Sequence, residues 1–303
     1  MTSEPVVVIA NGRVTAVQSR YDPLPVDASI VDLPGATLLP GLIDSHLHLC
    51  FDASEDPVGH LALMDRAMLL KHMAAAARRA LRAGVTTVRD LGDRGYAALE
   101  LRGRSTGPHP LPTIVASGPP ITSPGGHCHF LGGEVDGLDS ARAAVRERAE
   151  RGVDVIKVMA SGGNMAAGPL PFEPQFGVDF LRTVVDEAHR RGLPVTAHAH
   201  SAQSIADAVT AGVDGIEHAT FMTATGVDAR DAVIRSIVER RIAVGVTVGR
   251  EPGTSASPPP AIASRFEALL AASRRLHAAG ALIVGGSDAG VATVKPHDVL
   301  RYA

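Results

Sequence analysis

The sequence predicts an α/β fold, a (β/α)8 TIM barrel preceded by a small β unit, and three observations predict it. One is a recurring module in which an amphipathic helix, a Gly and a short apolar strand follow one another. It occurs at Ala83-Gly84-Val85, Arg151-Gly152-Val153, Arg191-Gly192-Leu193, Ala211-Gly212-Val213 and Ala279-Gly280-Ala281. Another is the number of apolar strands alternating with helices: eight, spread over about 260 residues, the usual length of such a barrel. The third is an asymmetry of loops. Those at 118–139, 161–177 and 249–264 are long and rich in Gly and Pro, whereas the helix-to-strand connections are one or two residues long. In a barrel the long loops build the catalytic face. A doubly wound open sheet is the competing arrangement. It usually carries a Gly-rich phosphate turn after its first strand, and none is present.

Taken in order, residues 6–10 and 13–17 are apolar runs on either side of Asn11-Gly12. That dipeptide predicts a type I′ hairpin, because both of its central positions need positive φ. Residues 28–39, interrupted by Pro34-Gly35, read as one or two further short strands, and this β unit ends near Pro40. The barrel strands are then expected at 38–48, 85–90, 113–117, 153–159, 195–200, 213–218, 242–248 and 282–288. The segments before them carry helical spacing, as in Phe180, Val184 and Ala188, or Ile205 and Val209. Each recurring Gly stands where a helix would end, since only Gly takes the left-handed cap without a Cβ penalty.

The 303 residues are 45% hydrophobic with few aromatics, so the core must be aliphatic. A formal charge of −3, no Trp and no basic tract interleaved with aromatics argue against nucleic acid or an anionic membrane as partner. Cys50 and Cys128 make no disulfide framework, which fits a reducing compartment. Met1-Thr2-Ser3-Glu4-Pro5 lacks the charged and apolar regions of a signal peptide, and no apolar run reaches the roughly 18 residues of a membrane span. The expectation is a soluble, cytoplasmic protein.

Thirteen His against three Tyr is a skewed ratio, and the informative His are those that end strands. His46 and His48 are alternate residues, so they share one face at the end of their strand. Paired imidazoles of that kind suit zinc and similar ions. His198 and His200 end the strand at 195–200, His218 the one at 213–218, and Asp288 the one at 282–288. Lys157 interrupts the apolar run 153–159 in phase with Val153 and Val155. A buried ammonium is costly unless it is paired or neutralised. It either meets a buried carboxylate or is carboxylated by CO2 into a group able to bridge two ions. Asp288 on its own reads as a helix cap or as a general base, and only one of His198 and His200 needs to be a ligand.

Leu39-Pro40-Gly41-Leu42-Ile43-Asp44-Ser45-His46-Leu47-His48 resembles the opening signature of the amidohydrolase superfamily, metal-dependent hydrolases built on (β/α)8 barrels. Agreement continues through Thr86-Thr87-Val88-Arg89-Asp90, Ile156-Lys157-Val158-Met159, Thr196-Ala197-His198-Ala199-His200, Gly215-Ile216-Glu217-His218 and Ser287-Asp288-Ala289-Gly290. The nearest branch is that of imidazolonepropionase-related enzymes, which includes prolidase-like dipeptidases. The resemblance implies two divalent metal ions, zinc by preference. His46, His48 and Asp288 would hold one, His198 and His218 the other, and carboxylated Lys157 would bridge them. Asp288 would take the proton from a metal-bridging hydroxide.

His127, His129 and His200 are the expected substrate contacts, with Arg250 suited to a carboxylate through its bidentate fork. The expected reaction is cleavage of a C–N amide bond in a small carboxylate-bearing substrate, an Xaa-Pro-type dipeptide or N-acyl amino acid. The alternatives are a lactonase, an organophosphate or carbamate hydrolase on the same centre, or an inactive fragment or binding protein. A homo-oligomer is expected. Against the family pattern, residues 1–39 would be a partial β-sandwich, and 40–303 a barrel lacking its last helix and the C-terminal sandwich strands.

Overall fold

The computed structural model describes residues 5–104, 110–165, 168–254 and 258–302. Residues 1–4 of the N-terminal reading, 166–167 and 255–257 of two long loops, and residue 303 lie outside them. The chain divides into two compact units, Met1–Pro40 and Gly41–Ala303.

In the first unit, β1 (Pro5–Ala10) and β2 (Arg13–Ser19) pair antiparallel with Ala10 opposite Arg13. Asn11 and Gly12 both take positive φ, +51° and +72°, as a two-residue type I′ turn requires. The further strands expected within 28–39 do not form, and that stretch is irregular and exposed. Its apolar residues Ile30, Val31 and Leu33 meet no partner strand to complete a ladder.

The second unit is an α/β fold with parallel sheets. Its elements run β3 (Leu42–Leu47), α1 (Pro57–Leu63), α2 (Arg66–Arg82), β4 (Val85–Asp90), α3 (Ala97–Gly103), β5 (Thr113–Ala116), α4 (Leu138–Arg151) and β6 (Ile156–Met159). There follow α5 (Val178–His189), β7 (Val195–Ser201), α6 (Ala202–Ala211), β8 (Gly215–Met222), α7 (Asp231–Glu239), β9 (Ala243–Val246), α8 (Pro260–Ala263), α9 (Phe266–Ala278) and β10 (Leu282–Gly285). Strands β3, β4 and β5 make one sheet in that order, and β6 to β10 make the other, each strand parallel to its neighbour. Isolated parallel bridges join Leu47 to Ala289 and Ile121 to Val158.

Local chemistry accounts for these elements. In α2, Asp65 caps the first turn by accepting from the Met68 amide, and Leu69, Leu70, Met73, Ala76, Ala77 and Ala80 form one buried stripe. Each large side chain in that stripe contributes about 1.5–3 kcal/mol of burial. Gly152 and Gly212 close α4 and α6 in the left-handed conformation, with φ of +80° and +91°. β6 starts at Ile156 rather than Val153. Asp154 is drawn off the strand line because its amide donates to Ala116 O and its carboxylate accepts from the Ala116 amide and Arg102.

The site depends on register. Met159 stands beside His198, His198 beside Glu217, and Glu217 beside Gly245, while Lys157 stands beside Thr196. Side chains of one face therefore line up across four strands at one level. Among the described residues, no helix is long and apolar enough to cross a membrane.

Candidate metal centre

Two groups of donors gather at the ends of these strands. In the first, His46, His48 and Asp288 each offer a ligand atom, all within 4.8 Å of one another. The Nε2 atoms of His46 and His48 lie 3.5 and 3.6 Å from Asp288 Oδ1. In the second group, His198, His200 and His218 do the same. The groups adjoin: the rings of His46 and His218 are 5.0 Å apart, and those of His198 and His218 are 4.8 Å apart.

The far side of each ring decides which nitrogen is presented. His48 Nδ1 lies 3.1 Å from Gly92 O, and a carbonyl can only accept, so Nδ1 carries the hydrogen and Nε2 the lone pair. His46 Nδ1 lies 3.0 Å from the Glu217 carboxylate, with the same consequence. His198 is reversed: its Nε2 donates to Gly162 O at 3.0 Å and Nδ1 keeps the lone pair. His218 Nδ1 and Thr247 Oγ1 are 2.8 Å apart. Such outer partners fix tautomer and orientation in metal-binding imidazoles.

Burial sets the protonation states. It pushes His48 down to about 4, and it holds His198 and His218 well below the ordinary imidazole range, their neighbouring imidazoles adding to the effect. Neutral rings are the form that binds a metal. Burial raises Asp288, but its electrostatic interactions with His46, Lys295, His48 and Lys157 outweigh it and keep the carboxyl below its usual range.

Lys157 is 1% exposed, and among the described residues its Nζ has no hydrogen-bond partner. Burial lowers its amine to about 8, with Glu217 pulling the other way and Arg89 pushing it further down. Both donor groups feel its charge, and no described residue gives it a hydrogen-bond partner. With the three-donor groups on either side, it fits a pair of divalent ions and a carboxylated lysine.

Glu217, which sequence reading passed over, is the hub behind the first group. It accepts from His46, from Arg89 Nη2 at 2.8 Å and from Thr196 Oγ1 at 2.6 Å, and its interactions with His46, Lys157 and Arg89 hold it ionised despite burial. Gly245 leaves it room, because a Cβ there would sit 2.1 Å from Glu217 Oε2. The signal was the one that exposed Lys157, a charge inside an apolar strand. Asp44 is a second such residue. It accepts from the His46 and Ser287 amides and from Ser287 Oγ, tying β3 to the segment after β10. Ser45 Oγ donates to Gly285 O, the Asp288 amide to His46 O, and the His48 amide to Ala289 O across the same seam.

Among the other expected contacts, His127 is buried with its ring 4.6 Å from that of His198, and its Nδ1 has no partner among the described residues. Gly163 is required beside it, since a Cβ there would come within 2.3 Å of the ring. Gln175 pins this loop, accepting from the His127 amide at 2.6 Å while its own amide donates to Met159 O. His129 turns back to Gly126 O in its own loop. Arg250 is exposed and donates to Thr254 O. His200 stacks on His218 at 4.5 Å.

Residues 37–300 match the sequence profile of the amidohydrolase family. The chain belongs to that family. Among solved structures, it is similar to an Xaa-Pro dipeptidase with methionine bound in its active site: TM-score 0.80, 27% identity, covering 96% of this chain and 76% of that one. It is also similar to a prolidase complexed with N-methylphosphonate-L-proline: TM-score 0.77, 30% identity, covering 93% and 73%. Among curated sequences, ochratoxinase of Aspergillus niger is 31% identical over 61% of this chain. This family member spans only 43% of the ochratoxinase sequence.

Proposed function

We propose that the chain is a metal-dependent hydrolase that cleaves a C–N amide bond in a small carboxylate-bearing substrate, an Xaa-Pro-type dipeptide or an N-acyl amino acid. Its eight parallel strands would close as a (β/α)8 barrel around the two donor groups. What carries the proposal is the buried Lys157 amine, without a hydrogen-bond partner among the described residues and felt electrostatically by His48 and Asp288 of one donor group and by His198 and His218 of the other. Similarity to proteins named Xaa-Pro dipeptidase and prolidase supports the substrate class.

His46, His48 and Asp288 would hold one ion, His198 and His218 the other, and Lys157 both. Two divalent ions there, zinc by preference, would supply Lewis acidity, polarising the scissile carbonyl and lowering the pKa of water. The chain's own part begins with Lys157. An amine near 8 is roughly one-tenth neutral at pH 7. The neutral nitrogen adds to CO2, an N–C bond forms and a proton leaves the nitrogen, giving a carbamate anion.

Asp288, held ionised, takes the proton of the attacking water at its carboxylate and delivers it to the leaving nitrogen. His127, given room by Gly163 and held through its amide by Gln175, offers to the substrate an Nδ1 without a partner among the described residues. Arg250 supplies a guanidinium from the loop after β9 for the substrate carboxylate.

The test is incubation of the zinc-reconstituted protein, with bicarbonate present, with a panel of Xaa-Pro dipeptides and N-acyl amino acids. Turnover abolished by a chelator and restored by metal is expected. Turnover of none of them would overturn the substrate class.

A further inference from the structure

Where the parallel pairing of β9 and β10 stops, one side chain continues to hold the two segments together. The ladder runs to Gly285 beside Val246, and the Gly286 amide then donates to Val246 O at 3.1 Å. Past that point come Thr247 and Ser287. The Lys295 amine donates to both of their carbonyls, to Thr247 O at 2.6 Å and to Ser287 O at 2.8 Å. The direction of these bonds is fixed, because a carbonyl oxygen only accepts and a lysine nitrogen has hydrogens for both.

The two carbonyls belong to the supports of different donor groups. Thr247 is the residue whose Oγ1 lies 2.8 Å from His218 Nδ1, so it backs the imidazole group. Ser287 directly precedes Asp288, the carboxylate of the other group, and is itself bound through its amide and hydroxyl to Asp44. Glu217 backs His46, and Gly162 O backs His198. Lys295 reaches the supports of both groups.

The backbone that carries this amine is pinned as well. The Lys295 amide donates to Ala292 O, and its carbonyl accepts from the Gly290 amide. On either side, Val294 O accepts from the Glu251 amide and His297 Nε2 donates to His48 O at 3.0 Å. Gly290, at φ +100°, is required in this turn, since a Cβ there would sit 2.5 Å from His48 O.

We propose that Lys295 is a positioning residue of the metal centre, whose single amine sets where His218 stands relative to Asp288 and so keeps both donor groups ready for their ions. This rests on the binuclear reading above and adds to it a residue that acts through Thr247 and Ser287 rather than as a ligand. A staple of purely structural value would join the same segments, stabilise the fold and leave metal affinity alone.

The test titrates the metal-stripped protein with Zn2+ by calorimetry and with Co2+ by visible absorption, with ions per chain counted by mass spectrometry. Lys295→Met keeps the unbranched stem and removes the amine. The wild type is expected to show two binding steps, one for each donor group. In Lys295→Met both should weaken by about 10-fold or more, and the cobalt absorption of each should change. Titration well below the variant's melting temperature separates this from a loss of stability. If Lys295→Met does not fold, Lys295→Gln decides on the same criterion, because its neutral amide stops one carbon short of both carbonyls.

Two steps of wild-type affinity, or one step weakened alone, would overturn the positioning role and leave the binuclear reading standing. A wild-type protein that takes up fewer than two ions would overturn the binuclear reading, and the proposal with it.

Discussion

The two donor groups meet within one centre but are built differently. The His46, His48 and Asp288 half contains a carboxylate and is backed by another, Glu217, with Arg89 behind that. The His198, His200 and His218 half is all imidazole, backed by the neutral groups Gly162 O, Thr220 and Thr247. Charge therefore favours a dication in the first half before anything else binds, whereas the second has only neutral lone pairs. Lys157 is felt electrostatically on both sides, by His48 and Asp288 and by His198, His200 and His218. A carbamate there would bring to the second half the negative charge that it lacks. Asymmetry of this kind suits a centre in which one ion is structural and the other is exchanged more easily.

The largest expected effect comes from the carboxylate that makes the halves unlike. Asp288→Asn should lower kcat by about 10³-fold, the scale of a lost general base, and should weaken the first binding step. Steady-state kinetics with an active Xaa-Pro or N-acyl substrate, run beside a zinc titration, reads both. A variant within tenfold of wild type would remove Asp288 from its role.

Next comes the shared group. Lys157→Met should weaken the step belonging to the imidazole half by about 10–100-fold, more than that of the half with its own carboxylates. It should also abolish any dependence on bicarbonate. Equal weakening of both steps would break the comparison.

Glu217→Gln is expected to be milder and confined to the other side, a loss of about 10–100-fold in the first step alone. Arg89→Lys, which keeps the charge but loses the guanidinium's two-point contact with Glu217 and Ser45 O, should shift the same step less.

The smallest effect is on stability and touches both halves. Burial brings His48 and His200 to about 4 from the ordinary 6.5. Between those values the unfolded chain binds protons that the folded one refuses, so the imidazole contribution is full above pH 6.5 and declines as pH falls toward 4. The melting temperature of the metal-free protein should drop by about 5 °C or more between pH 7 and pH 5. A flat profile over that range would count against buried neutral imidazoles.

Much of this was legible from residue order, because it rests on periodicity. Five of the eight parallel strands follow the recurring helix, Gly and apolar run, and alternation places His46 with His48 and His198 with His200. Lys157 stood out because a charge breaks an apolar run. Glu217, Arg89 and Asp44 were missed although each is also a charge inside a strand. Partners of each lie 44 to 243 positions away, and no local pattern shows whether such a charge is satisfied. The strands expected at 28–39 failed for the converse reason, since apolar runs become strands only when a neighbour completes the ladder.

The seam between β3 and the segment after β10 has a consequence in time. Asp44 and Ser287, Ser45 and Gly285, and His46 and Asp288 are each joined across about 240 positions of chain, so the carboxylate-bearing half cannot exist until nearly all of the described polypeptide is available. The imidazole half spans only residues 198 to 218, one helical crossover, and its closure costs far less entropy. On a growing chain the weaker metal site would therefore be built first and the stronger one last. Pulse-labelled amide exchange during refolding should show β7 and β8 protected before β3. Simultaneous protection would mean that the ends find each other before the middle is set.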